Sequence, residues 1–308
     1  MTRPFLIDTD TASDDAVAML LALTNPAIEV VGITVVAGNV GLDRAVINAL
    51  ITIEQAGKCE IPVYAGRAQP LCRPLETAQF VHGEDGMGDV GLALPMRTTP
   101  HDGDAVQVLL DAPLRFADLT LVTLGPLTNV AAALQQDPKL LTRYSRVVMM
   151  AGAPDGYGNV NATGEFNVWA DPEAAQIVMR SPGNKVMVGW NISRLYAVMT
   201  PAEQAVIGTL GSLGVFTQQI NVCVDEYARQ HGLAGYDLPD PIAMAIAIDP
   251  SVATRSHWQR VDVTLDGEHD RGCTHIVGDH TIPLTEVIWE ADEQRFKSMI
   301  FEMCSAVG

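Results

Sequence analysis

Phe5-Leu-Ile-Asp-Thr-Asp-Thr-Ala-Ser-Asp-Asp-Ala16 carries an apolar strand pattern at 5–7 straight into four carboxylates, Asp8, Asp10, Asp14 and Asp15, and then into a helix pattern over 16–23. All four acids therefore fall at one strand-to-helix turn, where mutual repulsion raises their pKa values unless a cation intervenes. A bound divalent ion relieves that repulsion, and carboxylates, as hard oxygen donors, select Ca²⁺ or Mg²⁺ over metals that take thiolate or imidazole. Helix capping by Asp14 or Asp15 accounts for one acid and leaves the others without a role. An EF-hand loop counted from Asp8 fails, because the position that needs Gly is Ser13 and the position that needs Glu is Met19.

Outward from this turn the same grammar repeats. Strand patterns at 29–37, 59–65, 119–124, 146–150 and 185–189 alternate with helix patterns at 42–56, at 105–110 and from Thr128. Further helices start at Asp171, an N-cap followed by Pro172, and at Thr200, which forms a capping box with Glu203. At least five rounds of alternation predict an α/β fold: a mainly parallel, mixed central sheet with helices on both faces, Rossmann-like, with the ligand outside the carboxyl ends of the strands. Residues 70–100 read as a long excursion, and His82-Gly-Glu-Asp-Gly-Met-Gly-Asp89 inside it has the glycines of a mobile flap. A polar and aromatic stretch at 223–236 precedes a buried helix entered through Asp240, and the tail reads as strand or hairpin from 261–265 with a closing helix at 291–304. Repeats, low-complexity segments and linkers are not apparent, so 1–308 is expected to be one domain.

The totals narrow the ligand. A hydrophobic share of 48% over 308 residues supports a sizeable core. With 19 basic against 37 acidic residues the net charge is -18, which repels polyanions, so neither nucleic acid nor a membrane surface is an expected partner. Five scattered cysteines, odd in number and without CxxC spacing, indicate neither a disulfide framework nor a zinc site and fit a reducing cytoplasm. With no long apolar run and no basic leader at the N-terminus, the expectation is a soluble, unexported protein.

If the sheet is as read, the turns after successive strands gather Asp10, Asp14, Asn39, Asn159, Glu165 and Asn167, and Asp240 joins them at a helix N-terminus. No Lys or Arg occurs in the turns that carry these residues. Carboxylates that accept from vicinal hydroxyls, and amides that donate to them, suit a neutral sugar and would not hold a phosphate.

Asp8-Thr-Asp10 followed by Asp14-Asp15-Ala16 resembles the N-terminal signature of the inosine-uridine-type nucleoside hydrolases. Gly38-Asn39, His82-Gly83, Leu124-Gly-Pro-Leu-Thr-Asn129, Met150, Gly158-Asn159, Glu165-Phe-Asn167, Asp171-Pro-Glu-Ala-Ala175, Asp240-Pro241 and Arg271-Gly-Cys-Thr274 resemble further blocks of that family, in order and over nearly the full chain. The resemblance implies hydrolysis of the N-glycosidic bond of ribonucleosides to free base and ribose. It implies one Ca²⁺ held by Asp10, Asp15, the main-chain oxygen of Leu124 and Asp240, with Asp10 as the base that deprotonates water at the ion. It also implies substrate binding by Asp14, Asn39, His82, Met150, Asn159, Glu165 and Asn167, and a homodimer or homotetramer. Leu124 stands where the family usually has Thr, a harmless change if only the main-chain oxygen binds. Pro239 stands where many members carry a histidine that protonates the departing base, which leaves His231, Tyr227 or Tyr236 to donate, or Trp169 or Trp190 to stack on the base.

Two other readings stay open on sequence alone. An apolar strand followed by Asp8-Thr-Asp10 also begins the signature of haloacid-dehalogenase-like phosphatases, although the fifth position is Ala12 and an acidic rim repels phosphate. A non-catalytic, calcium-dependent sugar-binding protein would share the site and lack turnover.

Overall fold

The apolar run Phe5-Leu-Ile7 is buried on both sides because it lies inside a sheet, with Phe5 and Ile7 facing one hydrophobic core and Leu6 the other. In the computed structural model, which describes residues 2–267 and 269–306, the strands in chain order are β1 (Arg3–Thr9), β2 (Ile28–Val35), β3 (Val63–Ala65), β4 (Thr120–Thr123), β5 (Arg146–Met150) and β6 (Lys185–Val188). They continue with β7 (Val198–Met199), β8 (Tyr236–Asp237), β9 (Ala253–Val263), β10 (Thr274–Val277) and β11 (Thr285–Ala291). One sheet has the spatial order β10-β9-β11-β6-β5-β4-β1-β2-β3, and β7 and β8 form a separate two-stranded ribbon. From β3 to β11 the neighbours are parallel; β9 and β10 add an antiparallel end. The expected single-domain α/β architecture is what the chain adopts.

The sheet is wound outward from β1, which has β2 on one side and β4 on the other. The crevice of such a sheet opens at this switch point, beyond the strand carboxyl ends. Asp10 leaves β1 and Leu124 leaves β4 at that place. Helices Ser13–Thr24 and Pro239–Ile248, each buried nearly throughout, pack in the core on one side, while Ala105–Arg115, Thr128–Gln136 and Pro172–Arg180 enclose the other. Among the described residues no helix is long and apolar enough to cross a membrane.

Several boundaries differ from the sequence pattern. The helix expected at 105–110 continues to Arg115 through Pro113. Proline has no N–H to give the carbonyl four residues back, and that carbonyl, Leu109 O, instead accepts the Tyr144 hydroxyl at 2.7 Å. In the polar and aromatic stretch at 223–236, to which the sequence pattern assigned no element, helix Val222–Gln230 occupies the first part, preceded by Ser212–Ile220. The tail strand begins at Ala253, earlier than 261, because its first half is exposed and lacks the apolar alternation that marks a strand.

Candidate active site

The carboxylate of Asp10 lies between two glycine turns. A Cβ on Gly125 would come within 2.6 Å of Asp10 Oδ1, and one on Gly38 would overlap Oδ2, so neither position has room for a side chain. Asp10 Oδ2 accepts the Asn39 N–H at 2.6 Å. Its Oδ1 is buried without a hydrogen-bond partner. The first turn of helix Ser13–Thr24 supplies the next two acids. Asp15 takes the capping role, accepting the Ala12 N–H at 2.9 Å, and also accepts the Thr9 hydroxyl at 2.5 Å and Asn39 Nδ2 at 3.3 Å. Asp14 Oδ1 is a second buried oxygen without a partner, 3.8 Å from His82 Nδ1. Burial pushes His82 down to about 4, so at neutral pH a neutral imidazole faces Asp14. His82, expected on a mobile flap, is buried, with Nδ1 3.0 Å from Ser13 Oγ.

Carboxylate oxygens of Asp14, Asp15 and Asp240 lie within 4.8 Å of one another. Burial, then the charge of Asp15, raises Asp10 well above the ordinary carboxylate range; burial, then the charges of Asp15, Asp14 and Asp10, does the same to Asp240. Asp14 and Asp15 are pushed up to about 6, in both cases chiefly by burial. Four dry acids with two orphaned oxygens and, among the described residues, no Lys or Arg partner form a donor set that a hard cation fits, since it would supply the missing charge and take the free lone pairs. Of the expected ion ligands, Asp15 and Asp240 belong to the close trio, which Asp14 completes. Asp10 stands at the adjoining turn. Leu124 O faces the same space and already accepts Asn167 Nδ2 at 2.7 Å.

Another wall of the site is built on the five-residue helix Phe166–Ala170, whose N-cap is Glu165. Glu165 accepts N–H groups from Asn167 at 2.7 Å, Gly152 at 2.8 Å and Val168 at 3.3 Å, yet burial outweighs them and holds it up at about 7. Asn167 Nδ2 also donates to Met150 O at 3.2 Å, tying the helix to the end of β5. Asn159 accepts the Phe166 N–H at 2.8 Å, so it braces the loop while lying exposed at the rim. Asp14, Asn39, His82, Met150, Asn159, Glu165 and Asn167 all line one cavity of about 340 Å³, together with Leu124 and Asp240. None of its described lining residues is Lys or Arg, and a phosphate would have no cation to meet there.

The far wall of that cavity is aromatic. Trp190, Tyr227, His231 and Tyr236 line it with Pro239. Tyr227 and His231 are stacked with ring centroids 4.0 Å apart, and His231 Nδ1 is 2.8 Å from Tyr227 O. Trp169 is not part of this wall; its ring lies under the Arg271 guanidinium at 4.1 Å. Sequence reasoning passed over Phe80 and Asp237. Phe80 is an exposed aromatic on the cavity, two residues before His82; Asp237 accepts the Ser193 hydroxyl and is pushed by burial up to about 6. Nearness in sequence to His82 and Asp240 was the only available signal for either.

Comparison with known proteins gives the family. The family described as "Inosine-uridine preferring nucleoside hydrolase" matches residues 5–298. The inosine-uridine preferring nucleoside hydrolase of Leishmania major is 35% identical over 317 residues, covering 100% of this chain and 99% of the relative. A pyrimidine-specific ribonucleoside hydrolase, RihB, of Escherichia coli is 36% identical over 265 residues, 85% of this chain and 83% of that protein. Among solved structures, a plant nucleoside hydrolase superposes with a TM-score of 0.94 at 32% identity, covering 100% of both chains. A purine-preferring ribonucleoside hydrolase from Gardnerella vaginalis gives a TM-score of 0.91 at 30% identity, over 98% of this chain and 99% of its own. Switch-point carboxylates, a cavity without Lys or Arg among its described lining residues and these likenesses lead to one conclusion: the chain belongs to the inosine-uridine preferring nucleoside hydrolase family.

Proposed function

We propose that the chain cleaves ribonucleosides to free base and ribose in a calcium-dependent reaction, with Asp10 as the general base. The observation that carries this reading is Asp10 Oδ1, a buried oxygen without a partner on a carboxylate held between Gly38 and Gly125. Asp10, Asp15, Leu124 O and Asp240 would hold the ion. When bound, Ca²⁺ supplies the positive charge that keeps these acids ionised and orients water and the sugar hydroxyls. Asp10 then takes a proton from the attacking water, and as a carboxylate fixed by the Asn39 N–H it needs little reorganisation to do so. Asp14, Asn39, Asn159, Glu165 and Asn167 bind and orient the ribose, with His82 and the end of β5 at Met150 closing the cavity around it. As the glycosidic bond breaks, positive charge grows on the ribosyl ring, and a wall of carboxylate and amide oxygens stabilises it. The scattered cysteines favour the cytoplasm, and likeness to the family favours a homodimer or homotetramer.

Release of reducing sugar from a panel of purine and pyrimidine nucleosides, with and without chelator, tests the proposal. Turnover that stops in chelator and returns with calcium supports it. Ribose binding without turnover of any nucleoside favours the sugar-binding alternative, and phosphate release from a simple phosphate ester favours the phosphatase.

A further inference from the structure

The block Arg271-Gly-Cys-Thr274 has no place among the groups that face the cavity, yet it touches helix Phe166–Ala170, the loop before it and the segment that leads into His82. Arg271 Nε donates to Trp169 O at 2.9 Å and a terminal nitrogen reaches Ala170 O at 3.4 Å, so the guanidinium caps the carboxyl end of helix Phe166–Ala170. The same side chain stacks on Trp169 and donates to Glu76 at 2.9 Å, in the excursion that leads into His82. Its main-chain oxygen accepts Asn161 Nδ2 at 3.0 Å, Cys273 bridges to Gly164, and Thr274 Oγ1 accepts the Ala153 N–H at 2.9 Å. Gly272, at φ +77°, lets this chain lie against Trp169, where a Cβ would come within 2.6 Å of the Trp169 Cα.

A helix of five residues cannot fix its own direction. Its amino end is set by Glu165 and its carboxyl end by Arg271, while Asn167 between them reaches Leu124 O and Met150 O. We infer that Arg271 is a positioning residue for the sugar: it clamps helix Phe166–Ala170, the loop before it and the Glu76 segment in the arrangement that aims Glu165 and Asn167 at the ribose. This rests on the nucleoside hydrolase reading of the same cavity. The carboxylates of Asp10, Asp14, Asp15 and Asp240 hang from other elements, and the helix meets the proposed ion ligands through Asn167 and Leu124 O, a contact that stays available when the clamp is lost, so removing the clamp should impair sugar binding far more than ion binding.

The test compares wild type with Arg271→Ala, Arg271→Lys and Glu76→Gln. Calcium affinity and, in calcium, ribose affinity are read by calorimetry; kcat and KM are read with inosine and uridine. Arg271→Ala should raise KM and the ribose Kd about tenfold or more and lower kcat/KM by about 10²-fold, the scale of an ångström-sized misplacement. Calcium affinity should stay within about twofold, and Arg271→Lys should recover only part of the loss because an ammonium cannot stack and fork as a guanidinium does. Added methylguanidinium should partly rescue Arg271→Ala. Unchanged ribose affinity and KM in a folded variant overturn the inference, as does a loss of calcium affinity in step with activity. Should Arg271→Ala not fold, Arg271→Lys and Glu76→Gln carry the same readouts. Ribose affinity judges the inference even if wild type turns over no nucleoside, an outcome that would contradict the hydrolase reading alone.

Discussion

Asn167 Nδ2 donates at 2.7 Å to the main-chain oxygen of Leu124, the one non-carboxylate group proposed to bind the ion. A carbonyl oxygen has two lone pairs, so the amide and a cation can share it, and the helix proposed to bind the sugar is thereby joined to the proposed ion site.

Asn167→Ala breaks that link. Leu124 O and Met150 O lose a buried donor, at a cost of about 1–3 kcal/mol. KM for a nucleoside should rise by about tenfold or more and calcium affinity should weaken measurably, both read on the same preparation by steady-state kinetics and calorimetry. Unchanged calcium affinity would show that the two sites are independent.

Metal-free protein should lose thermal stability as pH rises from about 6.5 to about 8. Asp8 and Glu165 are pushed by burial up to about 7, and Asp10 and Asp240 lie well above the ordinary range. With folded pKa values above unfolded ones, the native state binds more protons. This contribution is complete below the unfolded pKa and disappears as pH passes the folded one. His82, pushed down to about 4, gives the opposite slope below its unfolded pKa of about 6.5, so the decline is clearest above that point. Melting curves in chelator should show it. Saturating calcium should flatten it and add about 2.7 kcal/mol at about 100 times Kd. A melting temperature independent of pH in chelator contradicts the cluster as described.

Pro239 cannot donate a proton to a departing base, and the stacked pair Tyr227 and His231 lies on the cavity wall beside it. Tyr227→Phe or His231→Gln should lower kcat on inosine by about 10²-fold, the usual contribution of an acid, and leave a p-nitrophenyl riboside unaffected because its leaving group needs no proton. Equal losses on both substrates would assign the pair to stacking or packing instead.

The fold was legible wherever local pattern and tertiary packing agree. Phe5 to Ile7, the strand at 146–150 and the Asp171 and Thr200 caps stand where the pattern puts them, because buried parallel strands read as apolar runs and side-chain caps are local. Helix Val222–Gln230 was not legible: Ala228 is its one buried residue, Val224 only packs against the core and Tyr227 lies on the cavity, so no broad apolar stripe marks it. The acidic half of the site could be read because Asp10, Asp14 and Asp15 are neighbours in sequence. The bracing of Glu165 by Gly152 and of Asp10 by Asn39 could not, since each joins backbone to side chain across separate elements.

Turnover by Asp10→Asn at saturating calcium tests the central claim most directly. The substitution keeps the side chain's size and removes its basicity, so kcat for nucleoside hydrolysis should fall by about 10²–10⁴-fold in a protein that still melts cooperatively. Hydrolysis by Asp10→Asn at the wild-type rate would contradict the assignment of Asp10 as the base.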